Sequence, residues 1–349
     1  MPEDLRLERL RLWLGELGGF DLQDIVPASA DASFRRYFRV SRGDATTRIV
    51  MDAPPEQEDL STYLRVSAML EGCGVHVPQL HAADTALGFA ALEDLGSVHM
   101  LTALGSGHDA QLLYAQALDA LAGLQLAGAQ AALQLPAYDR PTLLREMQLL
   151  PDWYCRRHLQ FAPTADELRM LATTFELLVV EALAQPQVFV HRDYHSRNLM
   201  ITGVRSPGVI DFQDALRGPV AYDPVSLLKD CYVQWPRDRV AGWVEGFRDR
   251  LLAGGAEGRA LAGASFEQFL RWFDWIGLQR HIKVLGIFAR LCWRDGKPGY
   301  LGDLQRTLNY VQATAGSYPE LGAFAAFVDT RLAPGLAAAN ERALAQVRT

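Results

Sequence analysis

The chain has 349 residues, of which 49% are hydrophobic and 21% charged, and its formal net charge is −7. This length allows one large domain or two medium ones of ordinary globular composition. The negative charge argues against general nucleic-acid binding, which needs a basic surface. No apolar run approaches the roughly 18 residues of a membrane span. Four widely separated cysteines and a charged, non-secretory N-terminal stretch predict a reduced, cytoplasmic setting.

The N-terminal part of the sequence predicts a helix followed by a small sheet. Alternating aromatic side chains around Phe34 and Tyr37 are typical of a strand, and the turn residues Gly43 and Asp44 precede the returning strand. The predicted elements here are a helix at 3–18, strands at 33–40 and 48–52, a helix at 57–72, and strands at 79–83 and 88–92.

Beyond residue 96 the pattern changes to long helices. Thr164-x-x-Glu167 and Ser265-x-x-Gln268 have the spacing of capping boxes, which mark helix starts. We therefore predict an α/β (α+β) chain with a small N-terminal lobe at 1–95, which has an antiparallel sheet, and a large, mainly helical lobe at 96–349. The predicted helices are 109–128, 141–159, 164–184 and 265–293, with one sheet-like patch at 188–212.

The residues that suggest chemistry lie within that sheet-like patch. A short apolar strand leads into His191-Arg-Asp-Tyr-His-Ser-Arg-Asn198, and a hairpin then leads to Ile210-Asp-Phe212. Phosphoryl transfer needs a carboxylate that accepts the proton of the attacking hydroxyl and oxygen ligands that hold Mg²⁺ against the phosphates of ATP. We expect Asp193 to be the catalytic base, and Asn198 and Asp211 to bind Mg²⁺.

The order and spacing of these elements equal the kinase signature His-Arg-Asp-x-x-x-x-Asn followed by an aspartate that precedes phenylalanine. An Asp-x4-Asn pair alone is more often a polar loop whose side chains cap turns. The flanking strand, the hairpin and the second aspartate together favour a kinase site over that interpretation.

This stretch resembles the aminoglycoside phosphotransferase and choline kinase superfamily, whose members share a two-lobed, protein-kinase-like fold. His195 follows Asp193 by two residues, as in those kinases, and Arg192 stands where many of them have glycine. Gly218 and Asp223 match a later Gly-x-x-x-x-Asp segment. The resemblance implies that Asp223, together with His191, supports the catalytic loop.

Within the superfamily the chain is most similar to the anomeric kinases of cell-wall sugars. That resemblance implies an ATP-dependent transfer to the anomeric hydroxyl of N-acetylmuramate and N-acetylglucosamine, which yields a sugar 1-phosphate in peptidoglycan recycling. The segments that carry it are Asp31–Phe38, Met51–Glu56, Val190–Leu199, Val209–Ala215, Leu227–Cys231 and Leu278–Gly286.

The nucleotide side departs from the common kinase pattern. No glycine-rich loop is present, and Ala28–Ser33 stands in its place between two strands, so Ser29 and Ser33 are candidate phosphate contacts. The first 228 residues contain no lysine that could balance the phosphates. We hypothesise that an arginine replaces it, since a guanidinium can bind phosphate bidentately, and the candidates are Arg35, Arg36 and Arg48.

Two further assignments concern the small lobe. Leu92–Gly96 resembles the family hinge that meets adenine, which makes Glu93 and Leu95 candidate ATP contacts. Glu58 has two interpretations: it pairs with the phosphate-binding arginine, or it lies in the first turn of the following helix, where the helix dipole stabilises an acidic side chain. We favour the second.

The acceptor site is expected on the helical lobe. Candidate contacts are Arg197, Asp230, Asp274 and His281, the last two on one face of the helix at 265–293. A core histidine remains the commoner interpretation of His281. Arg192 is compatible with binding an anionic acceptor, but bracing of the loop is favoured.

The sequence thus predicts a kinase that uses ATP and Mg²⁺, with a small sugar acceptor, no nucleic-acid or membrane partner, and a monomeric or weakly dimeric state. Two alternatives stay open. One is a kinase of another acceptor, such as an aminoglycoside, choline, homoserine or a fructosamine. The other is a nucleotide-binding pseudokinase, which the missing lysine favours and the complete Asp–Asn–Asp set disfavours.

Overall fold

The computed structural model describes residues 4–30 and 34–347. The chain divides into two compact units, and the predicted hairpin between Asn198 and Asp211 belongs to the first of them. The interpretation of 1–95 and 96–349 as nucleotide and acceptor lobes stays a prediction. The first unit comprises Met1–Ala117 and Arg197–Asp214, and the second comprises Leu118–Ser196 and Ala215–Thr349.

A five-stranded antiparallel sheet forms the centre of the first unit. Its strands are β1 (Phe20–Ala30), β2 (Arg36–Arg42), β3 (Thr47–Asp52), β4 (Leu80–Asp84) and β5 (Phe89–Glu93). Their order across the sheet is β1-β2-β3-β5-β4, so β2 and β3 pair as the predicted hairpin. The strand before this hairpin, β1, includes Ala28–Ala30 of the predicted phosphate loop.

Helix α1 (Leu5–Leu17) covers one face of this sheet. Asp4 caps it by accepting a hydrogen bond from the Leu7 amide, and three helix residues at core spacing meet apolar side chains of the central strands. This packing gives the small unit its own core. The buried cluster consists of Leu10, Trp13, Leu14, Phe38, Val40, Val50, Phe89 and Ala91.

The buried carboxylate of Asp52, at the end of β3, joins α1 to the sheet. It accepts hydrogen bonds from Arg6 of α1, with Nε at 3.0 Å, and from Arg36 of β2, with Nη2 at 2.6 Å. Arg36 also pairs with Asp4 and lies over the Phe38 ring. Arg36 therefore connects the sheet to the start of α1 and stabilises the first unit.

Four more elements complete the first unit, and one helix continues into the second. Asp59 caps α2 through the Ser61 amide, so the helix begins three residues later than predicted. The first unit adds α2 (Leu60–Gly72), α3 (Met100–Gly105), β7 (Leu199–Met200) and β8 (Gly208–Val209), and α4 (Ala110–Ala127) continues into the second.

The second unit is mainly helical, apart from the antiparallel pair β6 (Gln187–Val190) and β9 (Leu216–Pro219). No helix in the described part of the chain is long and apolar enough to span a membrane. The helices are α5 (Ala129–Ala132), α6 (Arg140–Met147), α7 (Ala165–Ala184), α8 (Tyr222–Leu228), α9 (Arg237–Leu252), α10 (Gly255–Ala262), α11 (Phe266–Asp295), α12 (Leu304–Gly316), α13 (Gly322–Phe327) and α14 (Leu336–Val347).

The predicted helix at 141–159 is wrong as a single element. It divides into α6 and a π-helical segment, Leu150–His158, because Pro151 provides no amide hydrogen for a continuous α-helical ladder. The two helix starts are confirmed, since Thr164 and Glu167 form a reciprocal capping box and Ser265 accepts from the Gln268 amide. The 30-residue α11 is the central helix and packs against α7, α8 and α12.

A buried ion cluster connects α11 to its neighbours. The Asp274 carboxylate is fully buried and binds Lys229 Nζ at 2.8 Å, Arg237 Nη2 at 2.6 Å and the Tyr318 hydroxyl at 2.9 Å. Burial opposes ionisation, but the Lys229 and Arg237 charges lower the pKa of Asp274 to about 2. The prediction that Asp274 contacts the acceptor is therefore corrected, because its oxygens are occupied inside the core.

Replacement of Asp274 by asparagine should lower the free energy of unfolding by about 3 kcal/mol at pH 7, because buried Lys229 would lose its counter-charge. The lowered pKa stabilises the folded state above pH 4, and this stabilisation is lost as the pH falls from about 4 towards 2. The difference between wild type and variant should therefore shrink below pH 4. Urea unfolding at several pH values measures both effects.

Asp152→Asn is the matched control, since Asp152 forms an exposed ion pair with Arg156 that is expected to contribute less than about 1 kcal/mol. Equal stabilities of the Asp274→Asn and Asp152→Asn variants would contradict a structural role for the buried cluster.

Candidate functional site

The segment His191–Ser196 follows β6 directly, and we call it the catalytic loop. Val188, Phe189 and Val190 are buried, and β6 pairs with β9, so the start of the loop is anchored in the core of the second unit. The Asp193 amide donates to His191 Nδ1 at 3.2 Å, and the His195 amide donates to the Asp193 carbonyl at 3.0 Å. These contacts give the loop a defined backbone course around Asp193.

Asp223, in the first turn of α8, holds the beginning of the catalytic loop. Its fully buried carboxylate accepts hydrogen bonds from the His191 amide at 2.7 Å and the Arg192 amide at 2.9 Å. Burial raises the pKa of Asp223 to about 7, although both amide hydrogen bonds favour the ionised form. This is the supporting contact that the resemblance implied for Asp223 and His191.

Asp230, just beyond the end of α8, holds the other end of the loop. Its carboxylate accepts from the amide of Ser196 at 3.0 Å, from the Ser196 hydroxyl, and from the Tyr232 amide at 3.0 Å. Asp230 is only 1% exposed. The prediction that it contacts the acceptor is corrected, because its oxygens serve the loop.

Arg192 adopts a left-handed backbone conformation with φ of 82°, which explains why glycine suits this position in the similar kinases. Its guanidinium binds the buried Glu146 carboxylate, which also accepts from Lys283 Nζ at 3.2 Å. Burial opposes ionisation of Glu146, but Lys283 and Arg192 lower its pKa. These contacts favour bracing over the binding of an anionic acceptor by Arg192.

Asp193 lies in a markedly cationic environment within the second unit. Burial would raise the pKa of its carboxyl group, but the charges of Lys283, His195, Arg280 and Arg192 lower it. Asp193 is therefore ionised at neutral pH, the state that can accept a hydrogen bond or a proton from a hydroxyl group.

In the first unit, Asn198 and Asp211 lie side by side at the open end of the β7–β8 hairpin. The Ile210 amide donates to the Asn198 carbonyl at 3.1 Å, and Asn198 Nδ2 is 3.3 Å from Asp211 Oδ2. Asp211 has a left-handed φ of 63°, a strained conformation that is common at functional sites. Phe212 stacks on Tyr63 of α2, with 4.8 Å between ring centroids, and this fixes the adjacent backbone.

Arg35 is the arginine of the three candidates that reaches this pair. Its buried guanidinium lies 3.4 Å from Asp211 Oδ1 and 3.8 Å from Glu58 Oε2. Glu58 precedes Asp59, the cap of α2, so it does not lie in the first helical turn. Its contact with Arg35 therefore favours the arginine pair over the helix-dipole interpretation. Arg48 instead donates to the Thr47 carbonyl at 2.8 Å.

Four of the predicted ATP contacts remain: Ser29, Ser33, Glu93 and Leu95. Ser29 pairs with Tyr37 in the strand register, but its side chain and the whole of Ser33 lie outside the described residues. Glu93 and Leu95 line a cavity of about 620 Å³ within the first unit, together with 75–77 and 201–205. Their role at adenine stays a prediction.

Of the remaining acceptor candidates, Arg197 is exposed and His281 is buried. His281 Nε2 is 2.9 Å from the Lys229 carbonyl, and its ring stacks on Tyr310 at 4.8 Å. Burial lowers the pKa of His281 to about 3, so it is a neutral core side chain. The prediction that His281 contacts the acceptor is therefore corrected: His281 is a core histidine.

Sequence reasoning missed Arg280 and Lys283, whose charges act on Asp193 in the second unit, and Glu146, which pairs with Lys283 and Arg192. A signal was available in α11, where Arg280 and Lys283 interrupt an apolar stretch that the structure buries completely from Phe273 to Gly286. Charged residues at such positions are rarely buried without a partner or a function.

Comparisons with known proteins place the chain among phosphotransferases. The family described as APH, phosphotransferase enzyme family, matches residues 24–262. A protein of Pseudomonas aeruginosa named N-acetylmuramate/N-acetylglucosamine kinase is 45% identical over 331 residues, which cover 92% of this chain and 95% of that protein. A protein of the same name from Neisseria meningitidis is 42% identical, covering 90% of this chain and 92% of that protein.

The fold comparison agrees. The solved structure of an ethanolamine kinase from Plasmodium vivax matches with a TM-score of 0.59 at 14% identity, covering 88% of this chain and 86% of that one. At this identity the match shows the fold alone, and it confirms the predicted kinase-like fold. The family model matches more than half of this chain, and the relative from Pseudomonas aeruginosa matches 92% of it. The chain therefore belongs to the APH phosphotransferase enzyme family.

Proposed function

We propose that this protein is an ATP-dependent kinase that phosphorylates the anomeric hydroxyl of N-acetylmuramate and N-acetylglucosamine, yielding sugar 1-phosphates for peptidoglycan recycling. The observation that carries the proposal is the 45% identity, over 92% of the chain, to a protein named as a kinase of these two sugars. A cytoplasmic setting and a monomeric or weakly dimeric state belong to the same proposal.

Asp193 is the catalytic base in this proposal. Its lowered pKa keeps the carboxylate ionised, so that it can orient the sugar hydroxyl and accept its proton as the bond to phosphorus forms. Asp223 and Asp230 hold the loop at both ends, which keeps the carboxylate in place without a conformational search.

Asn198 and Asp211 would hold Mg²⁺. Their amide and carboxylate oxygens are the hard ligands that this ion prefers, and their side chains lie 3.3 Å apart. No group of three or more His, Cys, Asp or Glu side chains among residues 4–30 and 34–347 has the arrangement of a metal site. Two protein ligands fit Mg²⁺, which takes its other ligands from phosphates and water. When bound, the ion would neutralise charge that develops on the phosphates.

Arg35 supplies the cation that the missing lysine would provide in the common kinase pattern. It is buried, and its ion pairs to Glu58 and Asp211 hold the guanidinium beside the proposed magnesium ligand. A positive group at this position can balance nucleotide phosphates. This arrangement weakens the case for a pseudokinase, since the chain has a candidate for the cation, for each metal ligand and for the base.

Replacement of Asp193 or Asp211 by asparagine should lower kcat by about 10²- to 10⁴-fold while leaving the fold intact, because each variant loses a carboxylate that acts in the transfer. Phosphorus NMR of the product from each sugar measures turnover and identifies the carbon that receives the phosphate. The exposed Asp249→Asn variant is the control. Near-normal turnover by a folded Asp193→Asn protein would refute the assignment.

Arg35→Met should weaken ATP binding by about ten- to hundredfold, the usual range for loss of a charge-assisted contact. Arg36→Met is the matched control, since its guanidinium binds Asp52 and Asp4, and it should change stability but not ATP affinity. Equilibrium titration with ATP and Mg²⁺ measures both. Equal affinity of wild type and Arg35→Met would exclude Arg35 as the replacement for lysine.

Ser196→Ala should lower kcat by about tenfold with little change in KM for ATP or sugar, because the loop loses one of its contacts to Asp230 and Asp193 is held less firmly. Ser226→Ala is the control, since the buried Ser226 hydroxyl has no hydrogen-bond partner within the described chain. Steady-state kinetics separates kcat from KM. Identical kinetics of the two serine variants would remove the positioning role.

A further inference from the structure

Arg280 of α11 is a buried charge without a close counter-ion. The residue is 4% exposed, and Nη1 donates a weak hydrogen bond to Cys231 Sγ at 3.6 Å. Among the residues that the structure describes, no carboxylate oxygen lies within 4.0 Å of this guanidinium. Lys283, one turn further along the helix, has Glu146 at 3.2 Å. A guanidinium has five N–H donors, so most of its binding capacity is left to another group.

The surrounding acids are engaged elsewhere. Asp230 accepts hydrogen bonds from Ser196 and Tyr232, and Glu146 binds Arg192 and Lys283. Although burial disfavours the charged form, the groups of Cys231, Tyr222, Asp193 and Asp230 raise the pKa of Arg280, which therefore stays cationic. Arg280 is also one of the charges that lower the pKa of Asp193. The guanidinium thus lies within electrostatic reach of the proposed base.

A buried cation without an ion pair destabilises a fold by several kcal/mol, so such a group is retained where a ligand completes it. The planar fork of arginine fits a carboxylate or phosphate bidentately. The environment of Arg280, within the second unit, therefore suits an oxyanion ligand.

We propose that Arg280 binds the carboxylate of an anionic sugar acceptor and so determines specificity between the two proposed substrates. The inference rests on the proposed function. N-acetylmuramate carries a lactyl ether that ends in a carboxylate, whereas N-acetylglucosamine has a hydroxyl at the same carbon. Cys231 holds the guanidinium when the acceptor is neutral, so both sugars fit while only one gains the ionic contact.

Arg280→Met and Arg280→Lys test the contact through kcat/KM for each sugar. Any effect of the lost charge on Asp193 is common to both sugars. Loss of the charge-assisted hydrogen bond should therefore lower kcat/KM for N-acetylmuramate by about ten- to hundredfold more than kcat/KM for N-acetylglucosamine. Arg280→Lys should retain part of the preference, because it keeps the charge without the fork. Arg290→Met, which alters a half-buried arginine of the same helix, should affect neither sugar selectively.

A substrate variant tests the wild-type protein without relying on the fold of a mutant. Conversion of the N-acetylmuramate carboxylate to a carboxamide should lower kcat/KM of the wild type by a similar factor, and should make little difference to Arg280→Met. Thermal unfolding of each variant reports whether the fold is retained.

Equal losses for both sugars in a folded Arg280→Met protein would overturn the proposal and assign the guanidinium to the transferred phosphoryl group. Full activity of the wild type on the carboxamide would overturn it as well. A wild-type protein that phosphorylates neither sugar is a different result, since it refutes the proposed function itself.

Discussion

The catalytic loop of this protein depends on two buried carboxylates at opposite ends of one short helix. Asp223 accepts hydrogen bonds from the amides of His191 and Arg192, and Asp230 accepts hydrogen bonds from the amide and hydroxyl groups of Ser196. A hydrogen bond between a backbone amide and a buried carboxylate is strong because little water competes for either partner. The loop between these contacts presents Asp193 on a fixed backbone, so the proposed base would need little reorganisation before reaction.

A second network sets the charge state of the same region. Arg192 and Lys283 share the Glu146 carboxylate, and Tyr138 and Gln279 complete its hydrogen bonds. This network stabilises Arg192 in its left-handed conformation and keeps positive charge near Asp193. The result is an ionised carboxylate at Asp193, although burial alone would favour its protonated form. The loop geometry and its electrostatics are therefore produced by the same packed helices.

In the first unit, the contacts of two adjacent arginines bear on the proposed replacement of the missing lysine. Arg35 forms ion pairs with Glu58 and Asp211, while its neighbour Arg36 forms ion pairs with Asp52 and with Asp4, the cap of α1. Arg35 comes directly before β2, whereas Arg36 is its first residue. Two identical neighbouring side chains thus have different partners, and only Arg35 is beside the proposed magnesium ligand Asp211.

The sequence by itself determined the class of fold, and it predicts Asp193, Asn198 and Asp211 as site residues, because the spacing of a loop and a hairpin is a local property of the chain. It also determined the helix starts at Thr164 and Ser265, whose capping residues are three positions apart. Only the tertiary structure showed that Asp230 and Asp274 are engaged inside the protein and that Arg280 is buried. Each is a polar residue whose contacts are with partners 34 to 49 positions away, and no local pattern distinguishes a ligand contact from a buried ion pair.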